Sequence, residues 1–314
     1  MSRFTLEQVM SISLKTLSRS RLRLLSRTAF FLLFLVAPAL NIFRLDLTVG
    51  HFIILGHHWT LGLETFQQNL GDSLEVVENV LLGVFLPIML FVVITALIIW
   101  RFGRIYCGWL CPHFSVVEMI NQVMLKQLNR VTLWEAASAK AKGLLPWLIV
   151  LFTSMSIAFI WAFSLLTYML PPKQVFFDLL GGQLSLTSSI FLMVATLVFT
   201  VDFVFARHLF CKYGCALGVF QSLIWMGNSK AMVVGFDKAR ANLCKDCDSE
   251  CDKACPMRLP PRGIKRAKFT CTQCGQCLNT CDRVQQDNPD GAVIHWVTDK
   301  QAQRVDRKAT SQKP

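Results

Sequence analysis

Charged residues are scarce in this chain of 314 residues: Asp, Glu, Lys and Arg make up 17% of it, whereas soluble domains carry about 25%. Hydrophobic residues make up 53%, and the mean hydropathy is +0.45. This composition argues against an ordinary soluble enzyme and against a disordered chain, and the length argues against a small disulfide-linked secreted protein. It indicates a membrane-embedded body with a smaller polar part.

Lys and Arg are missing from residues 45–100, although the whole sequence has 32 of them against 20 Asp and Glu. They gather instead in residues 1–27 and again in residues 101–142. Because basic residues collect at the cytoplasmic ends of membrane helices, this asymmetry predicts that both termini and the loop after residue 100 face the cytoplasm. The topology then explains the net charge of +12, and no nucleic-acid partner is expected.

Four apolar segments are predicted as membrane helices, since a bilayer core of about 30 Å requires roughly 20 apolar residues. They cover residues 28–43, 79–100, 144–170 and 185–206. The basic leader is longer than that of a signal peptide and no small-residue cleavage site follows, so cleavage is not expected. The predicted fold is mainly α-helical and has four parts: a basic cytoplasmic N-terminus (1–27), a four-helix membrane domain in lipid (28–228), a small cytoplasmic α+β two-cluster ferredoxin domain (229–300) and a polar tail (301–314).

No cysteine stands outside a regularly spaced set. Two Cys-x3-Cys pairs follow the second and fourth apolar segments, and two four-cysteine runs lie further along the chain. The twelve residues are Cys107 and Cys111; Cys211 and Cys215; Cys244, Cys247, Cys251 and Cys255; Cys271, Cys274, Cys277 and Cys281. All are predicted on the cytoplasmic side, where reducing conditions disfavour disulfides and favour metal binding or redox chemistry.

The last run, Cys-x2-Cys-x2-Cys-x3-Cys, is typical of bacterial ferredoxins, in which the fourth cysteine of each run binds the other cluster. Zinc is the alternative, because paired Cys-x2-Cys motifs also bind it, but zinc does not explain two runs in tandem. The first run departs from the pattern by one extra residue between its second and third cysteines, and Asp282 follows the last run in place of proline. Two [4Fe–4S] clusters are therefore predicted, one on Cys271, Cys274, Cys277 and Cys255, the other on Cys244, Cys247, Cys251 and Cys281.

The Cys-x3-Cys pairs are predicted to place both thiols on one helical face, since residues i and i+4 are neighbours on a helix. If the second and fourth helices pack side by side, four thiolates meet at the membrane surface. They could hold a third cluster, bind a soft ion such as Cu(I), or cycle between dithiol and disulfide; buried structural cysteines are the alternative. Asp202 and Glu118 are the nearest acids and are candidates for proton transfer, because ionisable groups at membrane depth are costly. An ion pair with Arg207 is the alternative role for Asp202.

Three segments resemble the membrane ferredoxins of the FixG/RdxA/CcoG type, which are accessory proteins of cytochrome c oxidase. They are Gly-Arg-Ile-Tyr-Cys-Gly-Trp-Leu-Cys-Pro at 103–112, Phe-Cys-Lys-Tyr-Gly-Cys at 210–215, and the closing run that ends in Cys281-Asp282. The resemblance covers about residues 43–297. It implies a bacterial inner-membrane protein that reduces Cu(II) to Cu(I) during oxidase maturation, with an oxidase assembly factor as its partner.

Two departures limit this resemblance: Ala216 stands where that type has proline, and its C-terminal immunoglobulin-like domain has no counterpart here. The quinol-dehydrogenase ferredoxins of the NapH type, and the related MauN and NosR proteins, share the same motifs and imply a quinone site and a partner reductase. The sequence thus predicts a membrane iron–sulfur oxidoreductase or electron-transfer component that reduces copper. The alternatives are a quinol-oxidising module and a non-catalytic copper-handling assembly factor.

Overall fold

A computed structural model describes residues 6–59, 77–78, 80–130, 143–244 and 247–307. Its secondary structure is mainly helical, with two small sheets. The helices are α1 (Leu6–Val36), α2 (Leu86–Phe102), α3 (Ile105–Trp109), α4 (Pro112–Leu128), α5 (Leu145–Met169), α6 (Pro172–Leu180), α7 (Leu186–Val201), α8 (Ala216–Met226), α9 (Glu250–Lys253), α10 (Gln276–Val284) and α11 (Asp299–Arg307). The strands are β1 (Phe43–Asp46), β2 (His51–Ile54), β3 (His57–Trp59), β4 (Val233–Phe236) and β5 (Ile294–Val297).

Three helices are long and apolar enough to cross a membrane, within the residues that the structure describes. They cover Leu81–Phe102, Leu145–Met169 and Leu186–Ala206, and each matches one predicted segment. The first of these begins with a π-helical turn, Leu81–Phe85, and the last ends with another, Asp202–Ala206. These three predictions are confirmed to within two residues at each end.

The predicted span 28–43 is not confirmed as a membrane helix. Helix α1 continues from the basic leader but ends at Val36, and Phe43–Asp46 is a strand. Pro38 explains this end, because a proline disfavours helical geometry at the residue before it. The sheet β1-β2-β3, which is antiparallel throughout, occupies a stretch for which the sequence predicted only a loop.

The chain divides into two compact units. One contains residues 30–93 and 115–207, and its core joins the apolar face of α4 to helices α5 and α7. Helix α4 (Pro112–Leu128) follows the first Cys-x3-Cys pair directly. Its buried side chains recur at helical spacing: Val116, Val117, Ile120, Met124 and Leu128.

The other unit contains residues 1–29, 94–114 and 208–314. Strands β4 and β5 pair antiparallel, with Val233 opposite Val297. Trp225 at the end of α8 is fully buried between this sheet and α11, and its indole N–H donates to the carbonyl of Met232 at 3.0 Å. Helix α11 extends into the predicted polar tail and buries Ala302. This unit holds every cysteine of the chain.

Candidate iron–sulfur sites

The cysteines gather in three groups of four inside this one unit. We call them the helix-end site (Cys107, Cys111, Cys211 and Cys215), site one (Cys255, Cys271, Cys274 and Cys277) and site two (Cys244, Cys247, Cys251 and Cys281). None of the twelve forms a disulfide in the described residues. Sites one and two are named for the two ligand sets that the crossing rule of bacterial ferredoxins predicts, and their role as cluster ligands stays a prediction.

Each half of the helix-end site consists of a short helical turn followed by a new helix. Cys107 lies in α3, and Cys111 directly precedes Pro112, the first residue of α4. Cys211 lies in a π-helical turn, Phe210–Gly214, and Cys215 is the N-cap of α8. The expectation that each pair lies on one continuous helical face is therefore wrong, because one helical element ends and another begins between the two cysteines. Ala216 takes the first helical position that Pro112 takes in the other half.

The helix beginnings direct backbone N–H groups at the second cysteine of each pair. The amide of Gly218 donates to Cys215 Sγ at 3.4 Å. Burial raises the pKa of the Cys111 thiol to about 11, while the amides of Phe114 and His113 act in the opposite direction. A helix N-terminus stabilises negative charge, so both positions suit a thiolate.

The four thiols of the helix-end site lie close enough to interact. Burial raises the pKa of Cys211, and the thiols of Cys111, Cys107 and Cys215 raise it further. The predicted meeting of the two pairs is thus what the structure contains. Cys107 and Cys211 are 8% and 7% exposed, which removes them from solvent.

Arg104 supplies the positive charge beside these thiols. Its side chain is 1% exposed and donates to the carbonyl of Cys211 at 2.9 Å. The charge counters the effect of burial on the pKa of both Cys107 and Cys211. A Cβ on Gly218 would lie 2.3 Å from Arg104 Nη2, so glycine is required for this approach. Sequence reasoning noted Arg104 only as a basic loop residue.

Two further polar side chains reach the helix-end thiols. The Cys107 Sγ lies 3.3 Å from Gln221 Oε1, and Cys211 Sγ lies 3.5 Å from His113 Nδ1. Gln221 is 3% exposed and sits on α8, one helical turn and a half beyond Cys215. From the sequence, the position of His113 after Pro112 suggested a partner for a cluster sulfur or a quinone, with helix-start packing as the alternative, whereas Gln221 had no assigned role.

Site one packs directly against the helix-end site. Gly108, next to Cys107, lies so close to the loop after Cys271 that a Cβ would be 2.3 Å from Thr272 O and 2.9 Å from Cys274 Cα. The indole N–H of Trp109 donates to Gln273 O at 3.0 Å across the same contact. Cys111, Cys211, Cys255 and Cys271 also share one buried apolar cluster with Phe114, Met257 and Leu259.

The loop of site one turns its amides toward its own sulfurs. Gln273 and Gly275 have positive φ values of 53° and 73°, which bend the chain around the cysteines. Burial raises the pKa of Cys271 to about 12, and the amide of Gln273 partly offsets this. The amide of Leu259 donates to Cys255 Sγ at 3.4 Å. Short ligand loops with inward amides are what the sulfurs of a cluster require.

Site two accommodates the irregular spacing of the first run. Asp248 and Ser249 both have positive φ, 45° and 55°, and this left-handed turn takes up the extra residue before α9 begins. Cys251 and Cys281 are then buried together, packed on Val293 and Ile294. The amides of Val293 and Ile294 oppose the effect of burial on the pKa of Cys281. All four cysteines of the site line one open pocket, whose volume is about 280 Å³ when the solvent-filled space at its opening is included.

The donor sets fit iron–sulfur clusters. Each site offers four thiols, which is the ligand set of a [4Fe–4S] cluster. At site one the Oγ1 atoms of Thr270 and Thr272 are buried without a hydrogen-bond partner among the described residues, which leaves both hydroxyls available to a bound group. Within the described part of the chain, no three His, Cys, Asp or Glu side chains are grouped as ligands of a single metal ion.

The two predicted acids lie in the other compact unit. Glu118 is on the buried face of α4 and is 8% exposed, and Asp202 begins the π-helical turn at the end of α7. Arg207 has a positive φ of 54° and donates from Nε to Phe203 O at 3.3 Å. The structure does not bring these acids into the same unit as the cysteines, and their proposed roles stay predictions.

Comparison with known proteins gives one family model, described as a 4Fe–4S binding domain, which matches residues 83–130 and 186–231. The ferredoxin-type protein NapH of Haemophilus influenzae is 26% identical over 242 residues, which cover 74% of this chain and 79% of the relative. YccM of Escherichia coli, named for a proposed role in electron transport, is 25% identical over 62% of this chain and 52% of its own length. NapH of Escherichia coli is 22% identical over 60% of this chain and 63% of its own length.

These matches support a NapH-like membrane 4Fe–4S family. The narrower FixG/RdxA/CcoG type is not confirmed. The two segments matched by the 4Fe–4S model are the two halves of the helix-end site, each with an apolar helix, a Cys-x3-Cys pair and the helix that follows. No solved structure matches this chain.

Proposed function

We propose that this NapH-like protein is a membrane-bound electron-transfer protein whose three four-cysteine sites form one relay, from the helix-end site through site one to site two. The observation that carries this proposal is the contact at Gly108. It joins the loop of Cys107 to the loop of Cys271–Cys277 without room for a single methyl group. Near this contact, two cysteines of the helix-end site and two of site one belong to one buried apolar cluster: Cys111, Cys211, Cys255 and Cys271.

The protein's own residues would hold and tune the clusters, which supply one-electron steps when bound. Eight cysteines would hold the two clusters of sites one and two. The four helix-end cysteines would hold a third, and Arg104 would balance part of its negative charge. The family description of a 4Fe–4S binding domain, which falls on the helix-end segments, supports the third cluster.

The test is iron and acid-labile sulfide per chain in anaerobically purified protein. The proposal expects about twelve irons, falling to about eight in Cys107→Ser and in Cys211→Ser. Cys281→Ser is the matched comparison, because it removes a ligand of site two and should leave the spectroscopic signal of the helix-end cluster intact. About eight irons in the wild type, unchanged by Cys107→Ser, would overturn the third cluster.

The electron partners are the finer part of the proposal. With a third cluster, we propose exchange with a membrane quinol pool at the helix-end site and with a partner reductase at site two, on the cytoplasmic side of a bacterial inner membrane. The similarity to NapH of Haemophilus influenzae supports a NapH-like electron-transfer role.

Reduction of Cu(II) to Cu(I) is the alternative function. What favours it is the proximity of four thiols at the helix-end site, two of them buried, since thiolates are soft ligands that select Cu(I). It requires that these thiols carry no iron. Loss of Cu(II) reduction in Cys107→Ser, in protein with eight irons, would support it.

A further inference from the structure

Sites one and two each have four cysteines as ligands, but the charged side chains around the two sites differ. Beside site one lies Lys268, three residues before Cys271, with a side chain that is 1% exposed. Its ammonium group donates to Val234 O at 2.6 Å and to Pro261 O at 3.2 Å. Both acceptors are uncharged, so they satisfy the hydrogen bonds of the ammonium group without cancelling its charge.

The positive charge of Lys268 acts on two ligands of site one. Beyond the effect of burial, Lys268 lowers the pKa of Cys271, and Cys271 and Cys277 in turn favour the charged lysine. Burial lowers the pKa of Lys268 itself to about 8, which leaves it charged at pH 7. Charges in a buried environment are screened far less than surface charges.

Site two has charges of both signs beside it instead, because Arg262 acts to lower the pKa of Cys244 and Cys251 while Asp252 acts to raise the pKa of Cys251. Asp252 Oδ1 lies 3.7 Å from Cys251 Sγ, and Asp282 follows Cys281 directly. Arg262 pairs with Asp252 at 2.8 Å, and Arg19 pairs with Asp282 at 3.0 Å. Each acid is therefore balanced by one arginine, and all four side chains are partly exposed. Site two has balanced, hydrated charges where site one has a buried cation.

We infer that Lys268 makes site one the more readily reduced of the two ferredoxin-like sites. Reduction adds one negative charge to a four-thiolate cluster, and a buried cation stabilises that added charge. With a cluster bound at each site, one electron shared between them would reside at site one, which would be reduced by one equivalent while site two would be oxidised by one equivalent, and no proton would be required. This inference rests on the proposed relay and makes site one, next to the helix-end site, the position of its cytoplasmic half on which an electron resides at equilibrium.

The experiment is a redox titration at pH 7, followed by electron paramagnetic resonance, of wild type, Lys268→Met and Lys265→Met. Cys281→Ser identifies which signal belongs to site two. Lys265 is a matched control because it is also fully buried and donates to two carbonyls, Trp225 O at 3.0 Å and Asn228 O at 2.6 Å, while its pKa responds to no cysteine. The expected result is a higher midpoint potential for site one than for site two in wild type. Lys268→Met should lower the site-one potential, and Lys265→Met should leave it in place.

Asp282→Asn provides a second variant, at a partly exposed position, in case Lys268→Met loses iron. It leaves Arg19 unbalanced and should raise the potential of site two alone. A wild-type site one with the lower potential would overturn the inference, as would an unshifted site one in iron-replete Lys268→Met. The iron count separates this from failure of the relay: twelve irons with the wrong order of potentials refutes only the inference, whereas missing iron refutes the relay.

Discussion

Gly108→Ala is the substitution that most directly perturbs the contact between the helix-end site and site one. The new Cβ would meet Thr272 O at 2.3 Å and Cys274 Cα at 2.9 Å. Both are backbone atoms that cannot rotate away, so α3 and the loop of site one must separate by about 1 Å to reach an ordinary contact. Overpacking of this kind costs about 1 to 3 kcal/mol. Stretching the hydrogen bond from the Trp109 indole to Gln273 O adds about 1 kcal/mol to this loss of stability.

The assay is denaturant-induced loss of the visible iron–sulfur absorbance in anaerobic detergent solution. Gly108→Ala should move the midpoint to lower denaturant by the equivalent of about 2 to 4 kcal/mol. It should also weaken the magnetic coupling between reduced sites. Gly83→Ala is the control, since that glycine is helical and a Cβ there meets nothing within 4 Å. A Gly108→Ala protein with full iron and a wild-type midpoint would refute the close packing that carries the relay.

Three further predictions concern charge and metal binding. Arg104→Met should lose the iron of the helix-end site, so that the iron count per chain falls from about twelve to about eight. The control Arg101→Met, which removes an exposed ion pair with Asp299, should keep about twelve irons. Equal iron counts in both variants would argue against a role for Arg104. Burial alone would raise the pKa of Asp46, but hydrogen bonds from Thr48 and the charge of Arg44 lower it below 3.8, so its stabilising effect is present above that pH and fades as the pH falls below it. Asp46→Asn should therefore destabilise the protein by about 1 kcal/mol at pH 7 and by less at pH 3, as measured by urea unfolding, and an equal cost at both pH values would contradict the assignment. Burial raises the pKa of most ligand thiols above 9.0, so reconstitution with Fe²⁺ and sulfide should release protons and proceed faster at pH 9 than at pH 7; a flat pH profile would count against it.

The membership of the ferredoxin sites could be predicted because ligand spacing is a local property of the chain. The run from Cys271 to Cys281 can wrap a cluster only with short loops, and the crossing of Cys255 and Cys281 follows from that constraint. Three membrane helices could be predicted equally well, since each is a single apolar stretch that no turn or strand pattern interrupts. The end of α1 at Val36 was missed because hydropathy continues past Pro38 while helical geometry does not.

The surroundings of the sites could not be predicted because they depend on residues far apart in sequence. Arg104 and Gly218 are more than a hundred residues apart, and nothing local marks them as a fitted pair. Lys268 looked like one of several basic linker residues, yet it is buried against Val234 O. The end of one helix and the start of the next between Cys107 and Cys111 could not be predicted either, because an x3 spacing fits both a single helix and a helical turn followed by an N-cap.

The two halves of the helix-end site have a consequence for how the chain is assembled. A metal cluster bound to Cys107 and Cys211 acts as a cross-link that closes a loop of about 100 residues, and in the chain-entropy model such closure is worth about 4.7 kcal/mol. Site two encloses site one in the sequence, since its first three cysteines precede Cys255 and its last follows Cys277. Residue 281 must therefore be synthesised before all four cysteines of site two are available, so a cluster at site two would be completed only after every cysteine of site one has been made.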